Sequence, residues 1–288
     1  NVISNLIIAW RSKKSFPDIV KTKVTKEDFK KLNLWYDVKN MMATKIAGTI
    51  YGSSDSIIIT AVLGVGVVGL VNNYQMISSK IQEFILSIFQ ALQAGIGNMV
   101  YDKDAKKGIS FFYALDLVGF YLGLTAAVGM VVVGQDFILV WLKNRDFHLP
   151  FLFLFLLSLN VFVSICNNPM NYFRNTLGHF ESDRNYMIAA AVVNVAFTLL
   201  LAKPMGVAGV MVGTVAGHLL IFMGRTVVVY KHYTKKSPVE YYIRFALRLG
   251  IFSCISLGTA FLSGFIGVGG VAGVLIKGII SVLVSGVV

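Results

Sequence analysis

The chain has 288 residues, of which 56% are hydrophobic and only 14% charged, against the roughly 25% charge usual in soluble domains. The formal charge of +12 is strung along short connections between apolar runs, so it reports membrane topology and contact with anionic lipid heads rather than nucleic acid. A soluble enzyme and a nucleic-acid binder are both excluded, and an all-α integral membrane protein is expected.

The sequence opens in an apolar run, NVISNLIIAW, and closes in another, IKGIISVLVSGVV. Both read as stretches of transmembrane helix, so we expect part of a longer polypeptide, with residues 1–10 ending a preceding span. Residues 11–36 form the longest polar segment and read as a basic cytoplasmic linker. Within it, Val24, Phe29, Leu32 and Trp35 are spaced for an amphipathic helix lying on the membrane surface, although a solvated basic loop fits equally.

Eight spans follow, at 37–63, 70–100, 108–134, 150–173, 186–202, 205–229, 243–263 and 265–288. With the linker placed inside, nineteen Lys and Arg fall on that side or its membrane edge, whereas only Lys143, Arg145 and Lys203 fall on the other. This bias makes the linker side cytoplasmic. Cys166 and Cys254 both lie in apolar runs and read as packing residues. In the sixth span Gly209, Gly213 and Gly217 recur every four residues, a seam for close helix approach. His218 beside it reads as an interhelical hydrogen-bonding residue, because no second His or Cys stands at metal-binding spacing. Pro169 is expected to bend the fourth span and free a backbone carbonyl near Asn167, Asn168 and Asn171.

Charges at membrane depth cost about 2.5–3.5 kcal/mol each, so they mark interiors, wet cavities or pairs. Lys45 and Asp55 in the first span lie about 15 Å apart along the axis and about 80° around it, and are expected to border one cavity at two depths. The second span carries Asn72, Gln75, Ser79, Gln82, Gln90, Gln93 and Gly97 at steps of three and four, interrupted only at Leu86. Ile77, Ile81, Phe84, Ile88 and Leu92 occupy the opposite side. This amphipathic pattern suggests the wall of a water-filled cavity, with an interhelical hydrogen-bond seam as the plainer account. Lys80 and Glu83, three residues apart, are placed to pair. Asp116 in the third span is either a coupling group or one half of an ion pair with a neighbouring Lys or Arg. No nucleophile elbow, zinc-protease motif or P-loop occurs, so neither catalytic residues nor a metal or cofactor site is expected.

The run GSSDSIIITAVLGVGVVGLVNNYQMISSKIQEFILSIFQALQAGIGNMV resembles the second half of bacterial polysaccharide flippases of the Wzx type, in the multidrug/oligosaccharidyl-lipid/polysaccharide exporter superfamily. Matching positions include Asp55, Ile57 to Ile59, Gly64, Gly69, Tyr74, Gly97 and Asn98. DFILVWL, Asn194 and GVAGVMVGT extend the resemblance across nearly the whole chain from residue 36. It implies the second six-helix lobe of a MATE-like fold at 37–229, plus two additional helices at 230–288. Lys143 and Arg145 stand where that family often has a Gly-containing turn.

The resemblance further implies a multi-pass protein of the bacterial plasma membrane that moves an undecaprenyl-diphosphate-linked oligosaccharide across it by alternating access. Its partners would be that lipid-linked glycan and membrane lipids, with the polymerase and glycosyltransferases that act on the same glycan as further candidates. A diphosphate and a sugar chain need shielding from hydrocarbon. Lys45 is therefore expected to contact phosphate, Gln75, Gln82, Gln90 and Gln93 to line the sugar path, and Asp55 to hold a cationic partner or titrate during the cycle. A cation-coupled drug antiporter of the same superfamily is the alternative. A membrane-embedded glycosyltransferase or polymerase, or a non-transporting scaffold, fits the sequence less well.

Overall fold

A computed structural model describes residues 2–15, 34–101, 104–143, 145–178, 180–265, 267 and 269–286. The linker segment 16–33, with Val24, Phe29 and Leu32 of the expected surface helix, lies outside the described residues. Among the described residues every regular element is helical. The elements are α1 (Val2–Ser15), α2 (Leu34–Leu63), α3 (Val65–Val100), α4 (Ala105–Leu142), α5 (Phe151–Leu177), α6 (Phe180–Met205), α7 (Val207–Val229), α8 (Val239–Ser263) and α9 (Gly270–Gly286). A short 3-10 turn at Arg145–Phe147 joins α4 to α5, and a π turn at Tyr230–Thr234 extends α7.

The eight helices α2 to α9 fall on the eight expected spans. Six of them, α2 and α4 to α8, are long and apolar enough to cross a membrane, which makes the chain a multi-pass membrane protein. The α3 helix falls outside that set because its amides dilute an otherwise apolar sequence. The α9 helix has 17 residues, at the short end of what a bilayer requires. The expected span at 186–202 is the core of a longer helix of 26 residues, which runs through Pro204 and ends only at Gly206.

Local chemistry explains the breaks. Gly64, at φ 98 and ψ 156, turns the chain between α2 and α3 in a conformation that a Cβ would oppose. Asp104 caps α4 by accepting from the backbone N–H groups of Lys106 and Lys107 at 3.1 and 3.4 Å, an ordinary N-cap. Lys143 closes α4 in the left-handed region, at φ 53, with its N–H on Leu139 O. That position usually belongs to glycine. The backbone there keeps the glycine-like conformation although the side chain is Lys.

The bundle is organised around α4, α5 and α7, whose residues fill most of the core. The most extensive contact joins α6 to α7, followed by α2 with α6 and α4 with α5. The glycine seam makes the first possible. A Cβ at Gly209 would lie 2.1 Å from Leu201 O, one at Gly213 would lie 2.4 Å from Thr198 Oγ1, and one at Gly217 would lie 2.5 Å from the Tyr51 ring. Bare backbone on α7 therefore lets α6 and α2 approach as the spacing implied.

The α8 helix docks through stacked rings, with Phe252 5.1 Å and Phe245 6.2 Å from Phe162 of α5. Such offset aromatic pairs add to plain area burial. Cys166 is buried as expected, whereas Cys254 is exposed on the outer face of α8. The apolar run holding Cys254 presents that side outward rather than to the core.

Candidate functional site

The α3 helix packs through Val71, Tyr74, Ser78, Ile85, Phe89 and Ile96. This face lies between the polar stripe and the apolar side named from the sequence, so α3 has three faces rather than two. On the apolar side Phe84 is 71% exposed and Ile88 and Leu92 also face outward, whereas Ile77 and Ile81 are partly buried against the core. The polar stripe borders the packed face on its other flank. Asn72, Ser79, Gln90 and Gln93 are exposed, while Gln75, Gln82 and Gly97 are half-buried. Asn72, Gln90 and Gln93 are thus left open by packing among the described residues.

Midway along the stripe, α3 and α5 enclose a cleft of about 280 Å³, lined by Ser79, Gln82, Glu83, Leu86, Ser164, Ile165 and Asn168. Gln82 Nε2 donates to Ser78 Oγ at 3.0 Å, which steadies the amide against its own helix. Lys80 Nζ and Glu83 pair at 2.7 Å on the exposed rim, as their spacing implies. On the α5 side, Pro169 has no N–H, so the carbonyl of Ile165 loses its usual helical donor. Pro169 is accommodated against Gly119 of α4, where an added Cβ would meet its ring at 3.3 Å. The cleft therefore gathers amide, hydroxyl, carboxylate and carbonyl groups in one place. Ser164 and Asn168 belong to it although the sequence pattern on α3 alone gives no reason to include them.

Asp55 stands elsewhere, in a buried junction of three helices, and is only 6% exposed. Its Oδ1 accepts from Asn194 Nδ2 of α6 at 3.1 Å, and its Oδ2 accepts from Thr214 Oγ1 of α7 at 2.5 Å. Ser54 donates to Asn194 Oδ1 at 2.7 Å, which fixes the amide's orientation. The Tyr51 hydroxyl reaches Thr214 O at 2.6 Å. One helical turn further along α7, His218 Nδ1 lies 2.6 Å from Asn160 Oδ1 of α5, the interhelical role expected of it. The partners of Asp55 among the described residues are neutral. Of the two roles expected of Asp55, a cationic partner is not found among the described residues; an amide and a hydroxyl stand there instead and stabilise a carboxylate without cancelling its charge.

Lys45 does not share a cavity with Asp55. It is exposed on the outer side of α2, in a shallow apolar hollow with Val38, Met41, Met42 and Ile46. The 80° offset between the two residues is enough to bury one and expose the other, because α2 packs on one side only.

The other intramembrane charges form pairs. Asp116 of α4 meets Arg248 Nη1 of α8 at 2.8 Å and accepts from the Tyr241 hydroxyl at 2.6 Å. The Arg248 guanidinium lies 5.0 Å from the Phe120 ring centroid, a cation–π geometry. Asp183 of α6 holds Arg225 of α7 at 2.8 Å and Arg174 of α5 at 3.3 Å. Lys277 of α9 reaches Asp136 of α4 at 2.6 Å. The sequence signal for Arg225 and Lys277 was a lone cation within an apolar run, which demands a partner. Together these pairs fasten α8 and α9 to α4, and α6 to α5 and α7. No group of His, Cys, Asp and Glu suited to a metal ion occurs among the described residues.

Family models, curated proteins and solved structures compared with this chain give no match.

Proposed function

We propose that the protein is a polysaccharide-export flippase. It would carry an undecaprenyl-diphosphate-linked oligosaccharide from the cytoplasmic to the outer leaflet by alternating access, with α2–α7 as one MATE-like lobe and α8 and α9 as added helices. The observation that carries this reading is the amide stripe of α3, left open by packing and deepened by the cleft against α5. Sugar hydroxyls both donate and accept, and Gln, Asn and Ser side chains answer both without the full desolvation cost of a charge. Gln75, Gln82, Gln90 and Gln93 are the sugar-path residues in this account. The charge pairs hold the lobe rigid while it rocks as a unit.

Asp55 favours a second reading, the cation-coupled antiporter. A buried carboxylate with neutral partners is suited to a coupling step, because its charge remains uncompensated inside the bundle. The two readings separate on the stripe. Replacing both Gln82 and Gln90 with Leu is expected to abolish surface glycan in cells that lack their own flippase, at normal expression and with the lipid-linked precursor still made. Unimpaired export by that variant would remove the stripe from the path.

A further inference from the structure

A second, apolar hollow lies away from the polar cleft. Along the outer side of the α2–α6 contact runs a groove of about 680 Å³, lined wholly by aliphatic side chains of which Ala43, Ile46, Ile50, Ile188, Ala191 and Val195 define the two walls. On α2 the wall residues continue a stripe headed by Lys39, since 39, 43, 46 and 50 share a helix face. On α6 they continue a stripe headed by Arg184, through 188, 191 and 195. Both cations thus sit at the same end of the groove, which is its cytoplasmic end by the distribution of basic residues.

Neither cation is neutralised by an ion pair among the described residues. Arg184 bonds amide oxygens only, Asn40 Oδ1 at 2.7 Å and Asn185 Oδ1 at 2.9 and 3.1 Å. Lys39 lies 6.0 Å from the centroid of the Trp35 ring. Glu181, close to Tyr36, is an opposing charge at this mouth, and against Lys39 and Arg184 it leaves one positive charge in excess among the described side chains. From Ile188 to Leu199 the groove extends about 16 Å along α6, half of the roughly 30 Å hydrocarbon core. A cationic head followed by one leaflet's depth of apolar wall has the form of a single lipid.

We propose that this groove binds one anionic phospholipid of the cytoplasmic leaflet, its phosphate on Lys39 and Arg184 and one acyl chain between α2 and α6. Planar guanidinium suits phosphate geometry, and each cation near an anionic headgroup contributes to retention. The small residues Ala43, Ala47, Ala191 and Ala196 leave the room a chain occupies. This site is separate from the sugar path and stands whether or not the transport reading does.

Native mass spectrometry of the intact protein in detergent, titrated with phosphatidylglycerol or phosphatidylcholine, tests the proposal. Wild type is expected to retain one phosphatidylglycerol in clear preference to phosphatidylcholine. Lys39→Gln and Arg184→Gln should each weaken that retention by roughly five-fold. Ala196→Phe, at an exposed position lining the groove, should abolish the preference with both cations in place. Lys39→Gln and Ala196→Phe keep the test decisive if Arg184→Gln fails to fold. Equal retention of the two lipids by wild type would overturn the site. So would a phosphatidylglycerol preference that both variants leave unchanged, or a groove closed to lipid by another part of the polypeptide, seen as no retained lipid of either kind.

Discussion

Asp55 Oδ2 and Thr214 Oγ1 meet at 2.5 Å across 159 residues of sequence, and this contact ties α2 to α7. Asn194 completes the junction from α6. Replacing Asp55 with Asn preserves shape and one acceptor, whereas Leu leaves the buried Asn194 amide and Thr214 hydroxyl only their longer contacts, to Thr214 Oγ1 at 3.4 Å and Val210 O at 3.3 Å. Each lost partner costs about 1–3 kcal/mol. Asp55→Leu is therefore expected to lower the thermal unfolding temperature in detergent much more than Asp55→Asn. Equal melting of the two variants would show that the hydrogen bonds contribute little.

The seam between α6 and α7 depends on the absence of side chains. At Gly209 an added methyl would fall on the Leu201 carbonyl, whereas at Gly129 of α4 nothing lies within 4 Å. Gly209→Ala should destabilise by about 1–3 kcal/mol or more, in the range of overpacked cores. Gly129→Ala should leave the melting temperature almost unchanged. Similar losses from both would place the cost in helix flexibility rather than in helix approach.

Much of this arrangement was legible in the sequence and some was not. The helices, the glycine seam, the Lys80–Glu83 pair and the interhelical role of His218 follow from local spacing, which a sequence displays directly. The amide stripe was legible as a stripe. The face on which α3 packs was not, because Val71, Tyr74, Ser78 and Ile85 lie between the polar and apolar sides and carry no distinct composition. Asp116 is legible only as either a coupling group or one half of an ion pair, because its partner Arg248 is 132 positions away in the chain. Arg174 and Asp183 fall in sequence between the fourth and fifth expected spans, where a solvated connection is the default. They are buried instead, because the short turn lets α5, α6 and α7 close over them. Lys45 and Asp55 parted for a similar reason: helical geometry gives their offset but not which side of α2 meets its neighbours.

The Asp116–Arg248 pair offers a test of how α8 is attached. Removing one charge leaves the other buried and unpaired, which costs about 3–5 kcal/mol, while replacing both with apolar groups costs far less. Asp116→Leu alone should melt early, and Asp116→Leu with Arg248→Met should recover most of the loss. A double variant as unstable as the sum of its single changes would show that the two residues do not act as a pair.

The central claim is tested most directly by following the leaflet of a fluorescent lipid-linked oligosaccharide in sealed vesicles that contain the purified full-length protein. The wild type is expected to move the lipid between leaflets. The Gln82→Leu, Gln90→Leu double variant, incorporated to the same level, is expected to lose at least ten-fold in rate, the loss of a few hydrogen bonds of about 0.5–1.5 kcal/mol each. Translocation at equal rates by wild type and variant, or none above protein-free vesicles by the wild type, would contradict the account.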